Sequence, residues 1–169
     1  MSKLGSVSEL TRTQRFKQIA NCINLTTPVG IGVALLGKAR RRPGPRGLIL
    51  AEEYRLKFPI AGAFTIGNVV ITPHRFDEQR LRRFPGLIEH EERHSWQWTF
   101  CLGLPFLPLY LLAMAWSWLR TGDRASHNFF EVRAGLRSGG YLRKQTRNPI
   151  SAARLGLRGL RNRTKHPEV

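Results

Sequence analysis

The sequence predicts an α+β fold, on three observations. Phe64–Ile66 and Val69–Ile71 flank Gly67-Asn68, a pair that favours a two-residue hairpin because glycine supplies positive φ. From Pro85 to about Cys101 the residues follow helical spacing, and Asn128 opens another such segment that runs towards Leu136. A chain of 169 residues suits one compact domain with appendages.

Taken in order, the first 27 residues are polar and lead to an apolar stretch at 29–36 that is too short to span a bilayer. Thr27-Pro28 reads as a helix start, with the hydroxyl capping and proline in the first turn. A secretory leader needs a small-residue cleavage site after its apolar run. Here Lys38, Ala39 and Arg40 to Arg42 follow, which disfavours export. Residues 40–47 read as a basic, turn-rich linker. Leu48, Ile49 and Leu50 lead into 54–58, where apolar and charged residues alternate as on a half-buried strand. The hairpin comes next, and after Thr72-Pro73 a charged stretch extends to Arg83.

Lys and Arg number 28 against 11 Asp and Glu, a net charge of +17. Residues 1–47 hold nine Lys/Arg against Glu9 alone and residues 134–169 nine against Glu168 alone, while the centre balances ten against nine. Such arms favour anionic partners, either nucleic acid phosphates or the acidic lipids of a cytoplasmic leaflet, with a solubilising surface as the plain alternative. No zinc-finger, RNA-recognition or KH signature is present, so sequence-specific reading of nucleic acid is not expected. Cys22 and Cys101 allow one bridge at most, which excludes a disulfide framework and a cysteine-rich zinc site. A metal would have to use histidine and carboxylate.

His90-Glu91-Glu92-Arg93-His94 supplies that chemistry as an H-E-x-x-H pattern. On a helix, His90 and His94 stack one turn apart, so both imidazoles can reach one ion at about 2.0–2.1 Å. Glu91, about 100° round the helix, can take a proton from water that the ion has acidified. Gln97 continues the histidine face. The competing reading is a charged surface helix with salt bridges through Glu89, Glu92 and Arg93. A catalytic zinc needs a third ligand, and Glu131 is the candidate, against a capping box in which Asn128 and Glu131 satisfy each other's backbone donors. His127 and His74 are reserve ligands.

These residues resemble zincin-like metallopeptidases with a glutamate third ligand, in particular small bacterial proteins carrying H-E-x-x-H-x-x-Q. The resemblance runs from the hairpin through His90 to Gln97, Leu102-Gly103 and 105–110 to 128–131, about half of the chain. It implies a metal-site helix pair beside a small antiparallel sheet, with His90, His94 and Glu131 holding Zn²⁺ and Glu91 as general base. Gln97 and Asn128 would support the ligands or the substrate. A zincin-like core at 48–137 would then carry basic extensions at 1–47 and 138–169.

Residues 100–119 carry no charge, long enough for a transmembrane helix, with Trp96 and Trp98 before them and Trp116 and Trp118 near their end. Gly103, Pro105 and Pro108 interrupt the first third, which leaves a helix from about Leu109. A single crossing would put His94 and Glu131 on opposite membrane faces, so a shared ion requires the segment to turn back as a core helix or an interfacial hairpin. Beyond Ser138-Gly139-Gly140 and an Asn148-Pro149 turn, the tail from 150 is weakly amphipathic and basic.

The function expected is zinc-dependent hydrolysis of a peptide or protein substrate. The alternative is a non-catalytic, metal-binding, membrane-associated or interaction protein that uses the basic arms and the apolar 100–119 segment. Either fits a cytoplasmic protein, peripheral at the inner membrane face.

Overall fold

The computed structural model describes residues 9–57 and 61–147, an α+β arrangement of helices around a small mixed sheet. Its elements are α1 (Arg12–Ile23), α2 (Thr26–Leu36), β1 (Arg40–Pro43), β2 (Ile49–Glu52), β3 (Phe64–Ile66), β4 (Val69–Ile71), α3 (Glu78–Arg83), α4 (Leu87–Phe100), α5 (Phe106–Thr121) and α6 (Phe129–Ala134). Phe58, the turn at 148–149 and the tail from 150 lie outside the described residues.

The sheet order is β1-β2-β4-β3, with β3 at an edge. β3 and β4 form the expected antiparallel hairpin, Thr65 opposite Val70. At its turn Gly67 has φ +59°, and a Cβ there would lie 2.5 Å from the Thr27 nitrogen, so conformation and space both require glycine. The sheet is mixed rather than antiparallel, because β2 joins β4 in parallel. Alternate residues of β4 serve two cores: Val69 and Ile71 meet Ala34 of α2, while Val70 meets Leu50, Phe76 and Leu87.

Several local expectations differ from the structure. Residues 40–47 are not only linker, since β1 pairs with β2, Arg42 opposite Leu50. The strand expected at 54–58 does not form across 54–57: Glu53, at φ +60°, bends the chain after Glu52, and Tyr54 keeps a backbone bond to the Thr72 carbonyl at 3.0 Å. α2 begins at Thr26 without a side-chain cap, because the Thr27 hydroxyl instead accepts the Asn68 amide at 2.8 Å. The polar N-terminal stretch contains α1, opened by a capping box between Thr11 and Gln14. Described residues of 1–47 thus pack into the same fold as the centre.

α1 lies along α4. Lys17 pairs with Glu92 at 3.2 Å, and the Asn21 amide donates to the Ser95 carbonyl at 2.9 Å while its oxygen accepts from Thr99 Oγ1 at 3.0 Å. Residues early and late in α1 therefore face residues early and late in α4, and the two helices run in the same direction. After α4 the chain turns back through Gly103 at φ +94°, and α5 returns with Phe106 against Trp98. α5 starts three residues before Leu109 because Pro108 falls in its first turn, where no intrahelical donor is needed. Among the described residues no single helix is long and apolar enough to cross a membrane, although α1 and α2, bent by 73°, pass that test as a pair.

Candidate metal centre

α4 addresses three neighbours with three faces. Glu92, Ser95 and Thr99 meet α1, Glu91 and Trp98 meet β3, and His90, His94 and Gln97 meet α6. The charged surface helix is present only in part: Glu89 and Glu92 form ion pairs, but Glu92 is buried and Arg93 donates to the Ala134 carbonyl at 3.0 Å instead of joining a salt bridge. Glu89 and Glu92 take up Arg46 at 2.8 and 2.9 Å.

His90, His94 and Glu131 converge, and their ligand atoms lie within 4.8 Å of one another. The two Nε2 atoms are 3.1 Å apart, His90 Nε2 is 3.4 Å from Glu131 Oε2, and His94 Nε2 is 3.6 Å from Glu131 Oε1. Donors arranged tetrahedrally at about 2.0–2.1 Å from one ion would be about 3.3–3.4 Å apart. All three residues are buried: His90 and Glu131 are 3% exposed and His94 8%.

Hydrogen bonds fix which ring nitrogens face inward. His90 Nδ1 lies 3.2 and 3.1 Å from the Ala134 and Gly135 carbonyls, which only accept, so this nitrogen carries the proton. Gln97 Nε2 donates to the Phe130 carbonyl at 2.9 Å, which turns Gln97 Oε1 towards His94 Nδ1 at 2.8 Å and makes it the acceptor there. Both Nε2 lone pairs then point at each other and at a carboxylate. Glu131 Oε2 is buried without a hydrogen-bond partner. Three converging acceptors call for a shared cation, and this group could hold a metal ion.

A proton on Nε2 would meet the same need for positive charge as a metal ion, and the electrostatics describe that protonated alternative. Burial opposes the charge on Glu131, but hydrogen bonds from His90 and His94, the His94 charge and the Tyr110 hydroxyl outweigh it and hold the carboxyl well below the usual range. Burial also opposes protonation of His94, which the Glu131 carboxylate outweighs, so its imidazole sits above the ordinary value. Tyr110 of α5 donates to Glu131 Oε1 at 2.5 Å, and burial followed by the Glu131 charge pushes its phenol far up.

Asn128 caps α6 by accepting the Phe130 amide at 3.0 Å, so its side chain serves the helix start. Glu131 does not complete a capping box with it but turns to the histidines. Glu91, 3% exposed, accepts from Thr65 Oγ1 at 2.6 Å. His74 lies elsewhere, in a surface cleft of about 430 Å³ with Arg75, Arg80 and Phe84, and His127 is not in the group.

Sequence reasoning missed Tyr110, Thr65 and the cover over His90. Gly139 lies on that imidazole, where a Cβ would approach the ring to 2.5 Å, and the Tyr141 ring is centred 6.1 Å away. Tyr110 carried a signal, as the one phenol in an otherwise charge-free apolar stretch. Compared with family models, curated proteins and solved structures, the chain finds no match in any of the three.

Proposed function

We propose that the chain is a zinc-dependent, zincin-like metallopeptidase that hydrolyses a peptide bond in a peptide or protein substrate. The observation supporting this most is the convergence of two imidazoles and a carboxylate at donor separations of 3.1 to 3.6 Å, with Glu91 adjacent in sequence. Two histidines and a glutamate suit zinc with a position left for substrate or water. Bound there, the ion would supply Lewis acidity. Glu91 would take the proton of the attacking water and pass it to the leaving amine, with Thr65 orienting its carboxylate. Gln97 and the Ala134 and Gly135 carbonyls hold the imidazoles for binding, and Tyr110 holds Glu131.

Zinc-loaded protein is expected to cleave casein peptides and to stop when chelated. Glu91→Gln should keep its zinc while losing about a hundredfold or more in rate. Undiminished cleavage by that variant would refute the proposed role of Glu91.

The burial of the site favours a second reading, a non-catalytic metal-binding protein. His90, Glu91 and Glu131 are each 3% exposed and Gly139 lies over His90, as suits a closed structural ion. On that reading chelation lowers the melting temperature and no peptide is cleaved.

A further inference from the structure

α1 and α5 are inside out for helices on the surface of a protein surrounded by water. The residues α1 buries are Lys17 and Asn21, while Phe16, Ile19 and Ile23 face outward. α5 buries Ser117 and Thr121 along with Phe106, and leaves Leu111, Leu112 and Trp118 exposed. A water-facing helix ordinarily turns its apolar stripe inward.

The exposed apolar residues of α1, α4 and α5 come together at one end, around the α4–α5 turn. Because α1 and α4 run the same way, Ile23 and Phe100 lie at a common end, and Gly103 of the following turn packs against Asn24. Ile23, Phe100 and Leu102 there are 76, 72 and 80% exposed. Trp96 stacks on Phe100 one turn earlier, and α5 starts from the same turn. So large an apolar surface marks an interaction site.

Its border is cationic. The α1 stripe begins with exposed Arg12 and Arg15, one turn before Phe16 and Ile19. Arg120 lies over the Trp116 ring at 5.6 Å and Arg133 over exposed Phe129 at 5.1 Å. Residues 100–119 contain no acid; exposed Glu9 precedes Arg12 and half-buried Asp123 follows α5, while Glu52, Glu53, Asp77, Glu78 and Glu89 lie in or beside β2 and α3 or at the opposite end of α4. An apolar surface with tryptophans and arginines at its margin matches the depth profile of a bilayer: hydrocarbon, interface, anionic headgroups. Two copies joined through this face would bring two cationic margins together in a chain of net charge +17, which disfavours self-association.

We propose that this surface, formed by the outer face of α1, the α4–α5 turn and α5, seats in one leaflet of an anionic bilayer. The turn enters the acyl region, about 5–10 Å deep, and the arginines contact phosphate headgroups. This stands independently of the metal-site reading.

Flotation of the full chain on vesicles tests it. Binding is expected on phosphatidylcholine mixed with phosphatidylglycerol, and much less on phosphatidylcholine alone. Phe100→Ser with Leu104→Ser, the latter 60% exposed in the α4–α5 turn, should weaken it roughly tenfold per residue, and Arg12→Glu with Arg15→Glu roughly fivefold per arginine. Near-UV circular dichroism matching the parent verifies the fold of each variant, and the arginine pair, on exposed positions, serves if the apolar pair fails to fold. Failure to float, equal binding to both vesicle types, variants that float like the parent, or a stable dimer that ignores lipid would each overturn the proposal.

Discussion

The Gln97 amide sits between His94 and the first turn of α6, so one side chain sets both the tautomer of an imidazole and its distance from Glu131. Gln97→Leu keeps the volume but removes both bonds, and zinc affinity should fall about 10–100-fold by competition with a chelating dye. Affinity equal to the parent would show that His94 is oriented by something else. At this scale the pattern of His90, Glu91, His94 and Gln97 was legible because all four lie on one helix, where spacing dictates direction. Glu131 was legible as a candidate, but its choice between cap and histidines depended on where α6 docks. Thr65 and Tyr110 were not legible, since Thr65 lies 26 residues from Glu91 and Tyr110 lies 21 from Glu131.

Among the elements, the hairpin and α4 could be read from period and turn chemistry, whereas α1 and β1 could not. α1 hides polar residues and shows apolar ones, so its pattern carries no inward stripe. β1 is four residues of Arg and Pro, a composition that reads as linker until β2 pairs with it. That pairing has a titratable clasp, for Glu52 accepts two bonds from Arg42, at 3.1 and 2.9 Å, and one from the Phe76 amide at 2.7 Å. Burial opposes the Glu52 charge, but these bonds outweigh it and lower its pKa from 4.5. A carboxyl depressed in the folded state contributes stability above its unfolded pKa and loses it as pH falls through the folded value. Urea melts of the parent should therefore weaken below about pH 4.5 more steeply than those of Glu52→Gln. Parallel acid limbs would show that the clasp adds nothing.

For the whole molecule, the α+β class followed from the sequence, while the mixed sheet order did not, because β2 joins β4 across a long intervening segment that no local pattern specifies. The turn at Gly103 reconciles an uncharged twenty-residue segment with a shared site: α5 comes back along α4 and delivers Tyr110 to Glu131 instead of leading away. One helix thus links the buried centre to the apolar surface. The central claim is that His90, His94 and Glu131 together bind one divalent cation, and zinc titration of the metal-free chain followed by X-ray absorption tests it most directly. One zinc ion per chain is expected, held by two imidazole nitrogens and carboxylate oxygen at about 2.0–2.2 Å, with binding lost in His90→Ala with His94→Ala. Absence of stoichiometric zinc in the parent, or full retention in the double variant, would contradict it.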